Sequence, residues 1–150
     1  MTQCSRMYFA LRMLLAAALF STAASAALAA DAKINCYIQR GTCMQKTGDG
    51  MIVEFDIQPK PVAAMSDLAF IITITKRGRH VTGSSAALDL TMPGMVMGKN
   101  LPVMKQTGAG RFEGKGVIPN CPSGGKIWKA DVIFVHEGKT DVAGFVFEVK

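Results

Sequence analysis

The chain predicts an all-β protein, an immunoglobulin-like β-sandwich of seven or eight strands behind a cleaved amino-terminal signal peptide. Three observations carry this. Apolar residues recur with a period of two along most of the chain, turn signals interrupt them every 8–12 residues or so, and the first thirty residues have the build of an export leader.

The leader comes first. Arg6 and Arg12 form a positive region with no acid, Leu14 to Phe20 is a short apolar run, and Ala24-Ser25-Ala26 and Ala27-Leu28-Ala29 supply small-residue cleavage motifs. Cleavage after Ala29 or Ala30 is expected, leaving residues 31–150 as one domain of about 120 residues. The apolar run is shorter than the ~20 residues that span a bilayer. Losing Arg6 and Arg12, with no acid before Asp31, lowers the net charge from +6 to +4. Cys4 leaves with the leader. The expected location is periplasmic or secreted, which makes nucleic acid an unsuitable partner. The basic run Lys76-Arg77-Gly78-Arg79-His80 reads as a solvated loop tip.

The strands follow in order. Met51, Val53, Phe55 and Ile57 alternate with Glu54, Asp56 and Gln58, and Leu68, Phe70, Ile72 and Ile74 continue the pattern. Leu88, Leu90 and Met92 alternate with Asp89 and Thr91. Trp128, Ala130, Val132 and Phe134 form an aromatic-led strand with Trp128 as the expected core anchor, and Phe145, Phe147 and Val149 close the chain. Between them stand Thr47-Gly48-Asp49-Gly50, Gln58-Pro59-Lys60-Pro61, Pro122-Ser123-Gly124-Gly125 and Glu137-Gly138-Lys139. Thr107-Gly108-Ala109-Gly110 reads as a tight hairpin between strands over 101–106 and 111–118. Proline cannot donate to a sheet ladder, so Pro59 and Pro61 end a strand.

Cys36, Cys43 and Cys121 remain after cleavage, and an oxidising compartment favours one disulfide with one thiol left over. Cys36 and Cys43 enclose the turn Gln39-Arg40-Gly41-Thr42 and could pair locally. In a Greek-key sandwich, the loops before the second strand and before the tryptophan strand lie at one end. That favours Cys43–Cys121, with Cys36 left on the first strand.

The densest chemistry lies in Met92-Pro93-Gly94-Met95-Val96-Met97-Gly98-Lys99-Asn100-Leu101-Pro102-Val103-Met104. Thioethers are soft and uncharged, so they suit Cu(I) and reject Zn(II) and Mg(II). Met95 and Met97 share a face of an extended segment. Pro93 and Gly94 break the strand and let Met92 turn toward them, and Met104 on the next strand can complete a set of four. The alternative is a methionine-rich lid or sticky partner surface with no metal. His80 and His136 read as surface residues. No nucleophile–histidine arrangement and no phosphate loop stands out, so an enzyme is not expected.

The stretch Leu88 to Val135 resembles the YtkA-like or FixH-like periplasmic domain family. The matching motifs are Met92-Pro93-Gly94-Met95, Gly108-Ala109-Gly110-Arg111-Phe112 and Gly125-Lys126-Ile127-Trp128. Where that family often carries a histidine after Met-Pro-x-Met, this chain has Met97 and Gly98. The resemblance implies an immunoglobulin-like fold and a link to copper handling or respiratory-oxidase maturation. The expected role is a non-catalytic module that holds Cu(I) weakly and passes it on through Met92, Met95, Met97 and Met104. The alternative is a metal-free domain docking on a membrane protein of metal transport or oxidase assembly.

Overall fold

A computed structural model describes residues 33–150, and the expected leader over 1–30 lies outside them. The described residues form nine strands: β1 Cys43–Lys46, β2 Met51–Gln58, β3 Leu68–Lys76, β4 Arg79–His80, β5 Ser85–Thr91, β6 Met104–Gly108, β7 Arg111–Gly116, β8 Ile127–His136 and β9 Lys139–Glu148. Among the described residues there is no helix, and none long and apolar enough to cross a membrane. The strands form two antiparallel sheets. One runs β1-β2-β3-β7-β6 with β4 hairpinned onto β3, and the other runs β5-β8-β9. The protein is an all-β sandwich.

Period two is the reason the two layers close. Met51, Val53, Phe55 and Ile57 on β2 and Leu68, Phe70, Ile72 and Ile74 on β3 are buried, while their neighbours are only partly covered. Leu88 and Leu90 on β5 and Trp128, Ala130, Val132 and Phe134 on β8 face them from the other sheet. Phe55 bridges the layers, with ring centroids 5.3 Å from Phe145 and 6.0 Å from Phe147. Trp128 is 1% exposed on the central strand of the smaller sheet.

The count exceeds seven or eight because β4 is a two-residue arm. The strand expected over 101–106 instead occupies Met104–Gly108. A further correction concerns Cys36, which is not on a strand. Residues 33–38 run along the free edge of β9, where the backbone amides of Asn35 and Cys36 donate to the Val146 carbonyl. The Asn35 side chain accepts from the Val146 amide at 2.7 Å. This satisfies an edge that would otherwise offer unpaired backbone groups. It also explains why Val146, on the outward face of β9, is buried.

The expected Cys43–Cys121 disulfide is not formed; Cys36 pairs with Cys43. The chain reverses at Tyr37–Arg40, where the Arg40 amide donates to the Tyr37 carbonyl, and this leaves the two Cα atoms 5.4 Å apart. Cys43 is opposite Phe55, midway along β2, whereas Cys121 lies in the loop beyond the strand ends. Because β1 is only four residues long and begins midway along β2, Cys43 does not reach the end where Cys121 lies. Among the described residues Cys121 is the unpaired thiol.

Candidate functional site

The end of the sandwich that carries the methionine loop is built from residues 92–103 and 117–126. β5 delivers Met92 there, and a turn follows at once. The Met95 amide donates to the Met92 carbonyl at 3.2 Å across Pro93 and Gly94, and Gly94 has φ +76°. Proline then glycine at the two central positions is the signature of a type II turn, whose second centre needs positive φ. Beyond the turn, Leu90 donates to the Asn100 carbonyl, and the Asn100 side chain donates to the Val117 carbonyl. The loop is thus tied along β5 and across to the segment after β7.

The turn sets one of the four methionines, Met95, against another sulfur. The Cys121 thiol lies 3.7 Å from Met95 Sδ. Met92 approaches from the core side. A Cβ placed on Gly125 would lie 2.8 Å from Met92 Cε and 3.8 Å from Cys121 Sγ. Gly125 therefore leaves open the space into which Met92 and Cys121 both reach. Met92 is 6% exposed, Cys121 7% and Met95 40%, so the group has a buried floor and one side chain open to solvent.

Met97 and Met104 do different work. Met97 is partly buried and packs against the core. Met104 lies on β6 in the larger sheet, with its sulfur seated over Gly114 of β7, in the space a Cβ there would take. The structure thus joins Met95 with Cys121, sets the Met92 methyl beside the same space over Gly125, and packs Met97 against the core and Met104 over Gly114. His80 on β4 and His136 at the end of β8 lie at the opposite end of the strands. Among the described residues no three His, Cys, Asp or Glu side chains converge, so no cage of charged or imidazole ligands is present there.

Cys121 is held below the usual thiol pKa range. The Ser123 hydroxyl, 3.0 Å from Sγ, is the largest cause, aided by the Ser123 and Gly125 backbone amides and opposed by burial. Thiolate is the form that binds metals. The sulfur separation also suits a shared ion. With metal–sulfur bonds of about 2.3 Å and bond angles of about 109–120°, two ligands stand about 3.8–4.0 Å apart. Cys121 and Met95 need move only slightly to meet that distance.

Cys121 and Ser123 are the residues that sequence reasoning missed as site members. The signal was available: the seven-residue separation of Cys36 and Cys43 around a turn leaves Cys121 as the odd thiol. No protein-family model matches the chain, and no curated protein or solved structure aligns with it significantly.

Proposed function

We propose that this is an exported, non-catalytic module that binds Cu(I) at the methionine-loop end and passes it on. Met95 and Cys121 are the principal ligands and Met92 is the third. The carrying observation is the 3.7 Å approach of the Cys121 thiol to the Met95 thioether. Two thioethers and a thiolate make a soft set of low charge, which favours Cu(I) over Zn(II), Mg(II) or Ca(II). Met95, partly exposed, gives the ion a way in and out. The Cys36–Cys43 disulfide fits an oxidising compartment. A thiol of lowered pKa is prone to oxidation in such a compartment, and metal occupancy protects it. The resemblance to YtkA-like and FixH-like domains points the same way.

One observation favours the metal-free docking reading. Val96, Leu101 and Val103 in the same loop are 103%, 51% and 75% exposed. Titration of the protein with Cu(I) against a competing chelator separates the two. The metal reading expects uptake of one ion, lost in Met95→Leu with Cys121→Ser. The docking reading expects no uptake by the wild type.

A further inference from the structure

We propose that the β3–β4 hairpin, at the end of the sandwich away from the sulfur group, is an electrostatic foot that rests on phosphate headgroups of an anionic lipid surface. Three features of this tip each work against the stability of the free protein, and an anion relieves two of them.

The first is a like-charge pair. Lys76 and Arg79 stand directly opposite each other in the β3–β4 register. Like charges in that position repel across the ladder. The second is the absence of any counter-charge. No ion pair among the described residues involves Lys76, Arg77, Arg79 or His80. A neighbouring tip at the same end is compensated: Lys139 lies 3.5 Å from Asp49. The third is the backbone. Arg77 has φ +51° ahead of Gly78 at +74°. That first position of a two-residue hairpin turn suits Asn, Asp or Gly, and an arginine there is strained.

The three side chains also share a space. Lys76, Arg77 and Arg79 line a hollow of about 470 Å³ at the tip, with no acidic residue on its wall. Arg77, Gly78, Arg79 and His80 are exposed. A projecting tip with an open cationic hollow fits a surface of phosphate groups better than an enclosed small ligand. Guanidinium forks pair phosphate oxygens bidentately, and the lysine adds a point charge. Each basic side chain near an anionic bilayer strengthens binding by about fivefold. Bound this way, the foot directs the methionine-loop end away from the bilayer, by roughly the 30 Å that a nine-residue strand spans. The inference does not depend on whether that end binds copper.

The test is vesicle co-sedimentation with the protein as purified from its native compartment. Wild type is compared with Lys76→Thr/Arg77→Asn/Arg79→Thr, so any contribution of residues outside the hairpin is common to both. Binding is expected to vesicles of phosphatidylcholine containing a third of phosphatidylglycerol, and not to phosphatidylcholine alone. It should weaken as salt rises, and the triple variant should lose at least tenfold in affinity. The variant's urea midpoint should be equal to or higher than wild type, because repulsion and the strained arginine are both removed. Arg79→Gln alone, which keeps the side-chain length, should lose about fivefold. The proposal is overturned if anionic vesicles bind no protein, or if the triple variant binds as tightly as wild type. It is also overturned if inorganic phosphate, at the same phosphate concentration, displaces the protein from vesicles. That result would make the tip a site for free phosphate instead.

Discussion

Gly110 closes the β6–β7 hairpin against β3, and replacing it with alanine should cost about 3–5 kcal/mol. The figure is assembled from three parts. Gly110 has φ +60°, which costs a residue with a Cβ about 1 kcal/mol or slightly more. The new Cβ would lie 2.4 Å from the Ile74 carbonyl oxygen and 2.9 Å from the Val81 amide nitrogen. Carbon–oxygen contacts ordinarily begin near about 3.3 Å, and both obstacles are backbone that cannot rotate aside. Relief must therefore part the hairpin from β3. That breaks the Ile74 amide's bond to the Gly110 carbonyl at 2.7 Å and strains the Val81 amide's bond to the Ile74 carbonyl at 3.1 Å. Each net loss is about 1 kcal/mol, and more where a buried group is orphaned. Against a typical total of about 5–15 kcal/mol, this is a large loss. The assay is urea unfolding followed by Trp128 fluorescence, with Gly108→Ala as the control. A Cβ at Gly108 meets only Arg111 Cβ at 3.7 Å, an ordinary contact, so that variant should stay within about 1 kcal/mol of wild type. A Gly110→Ala protein equally close to wild type would refute the placement of this hairpin against β3.

Other outcomes follow from the same structure. Trp128→Ala empties the centre of the smaller sheet and should cost about 3–5 kcal/mol, and a loss below about 1 kcal/mol in denaturant titration would contradict its burial. Thiol counting on unfolded protein should find one free thiol per mature chain, which Cys121→Ser abolishes. Replacing Cys36 and Cys43 together with serine opens a short loop and should cost about 2–3 kcal/mol by the chain-entropy relation. Intact-mass measurement of exported protein should show a mature chain beginning at Ala30 or Asp31, and retention of Met1 would reject the leader.

The core was legible because period two leaves no ambiguity about which side chains face in. Val53, Phe55, Ile72, Ile74 and Trp128 are all buried as the alternation requires. Three places resisted. The two-residue β4, Arg79–His80, carries no apolar residue, so no apolar pattern announces it. Residues 33–38 alternate like a strand, with Cys36 and Ile38 buried, yet they serve to cover the β9 edge, a role that depends on where β9 ends up. Cysteine pairing depends on the three-dimensional level at which β1 starts, and a one-dimensional reading of loop ends misjudged it. At the candidate site, the Pro93–Gly94 turn that brings Met92 round to Met95 was readable, because turn chemistry is local. The partner across the turn was not, since Cys121 is twenty-six residues from Met95 and arrives through the packing of the loop before β8.

Whether Met95 and Cys121 act together on one soft ion is tested most directly by competitive Cu(I) titration. Wild type, Met95→Leu, Cys121→Ser and the double variant are titrated under anaerobic conditions against a chromophoric Cu(I) chelator. Leucine keeps most of the methionine volume, so folding should change little. One ion per wild-type chain is expected, with each single variant at least tenfold weaker and the double variant unable to compete. Wild-type protein that takes no Cu(I) from the chelator, or a double variant that binds as tightly as wild type, would contradict that joint action.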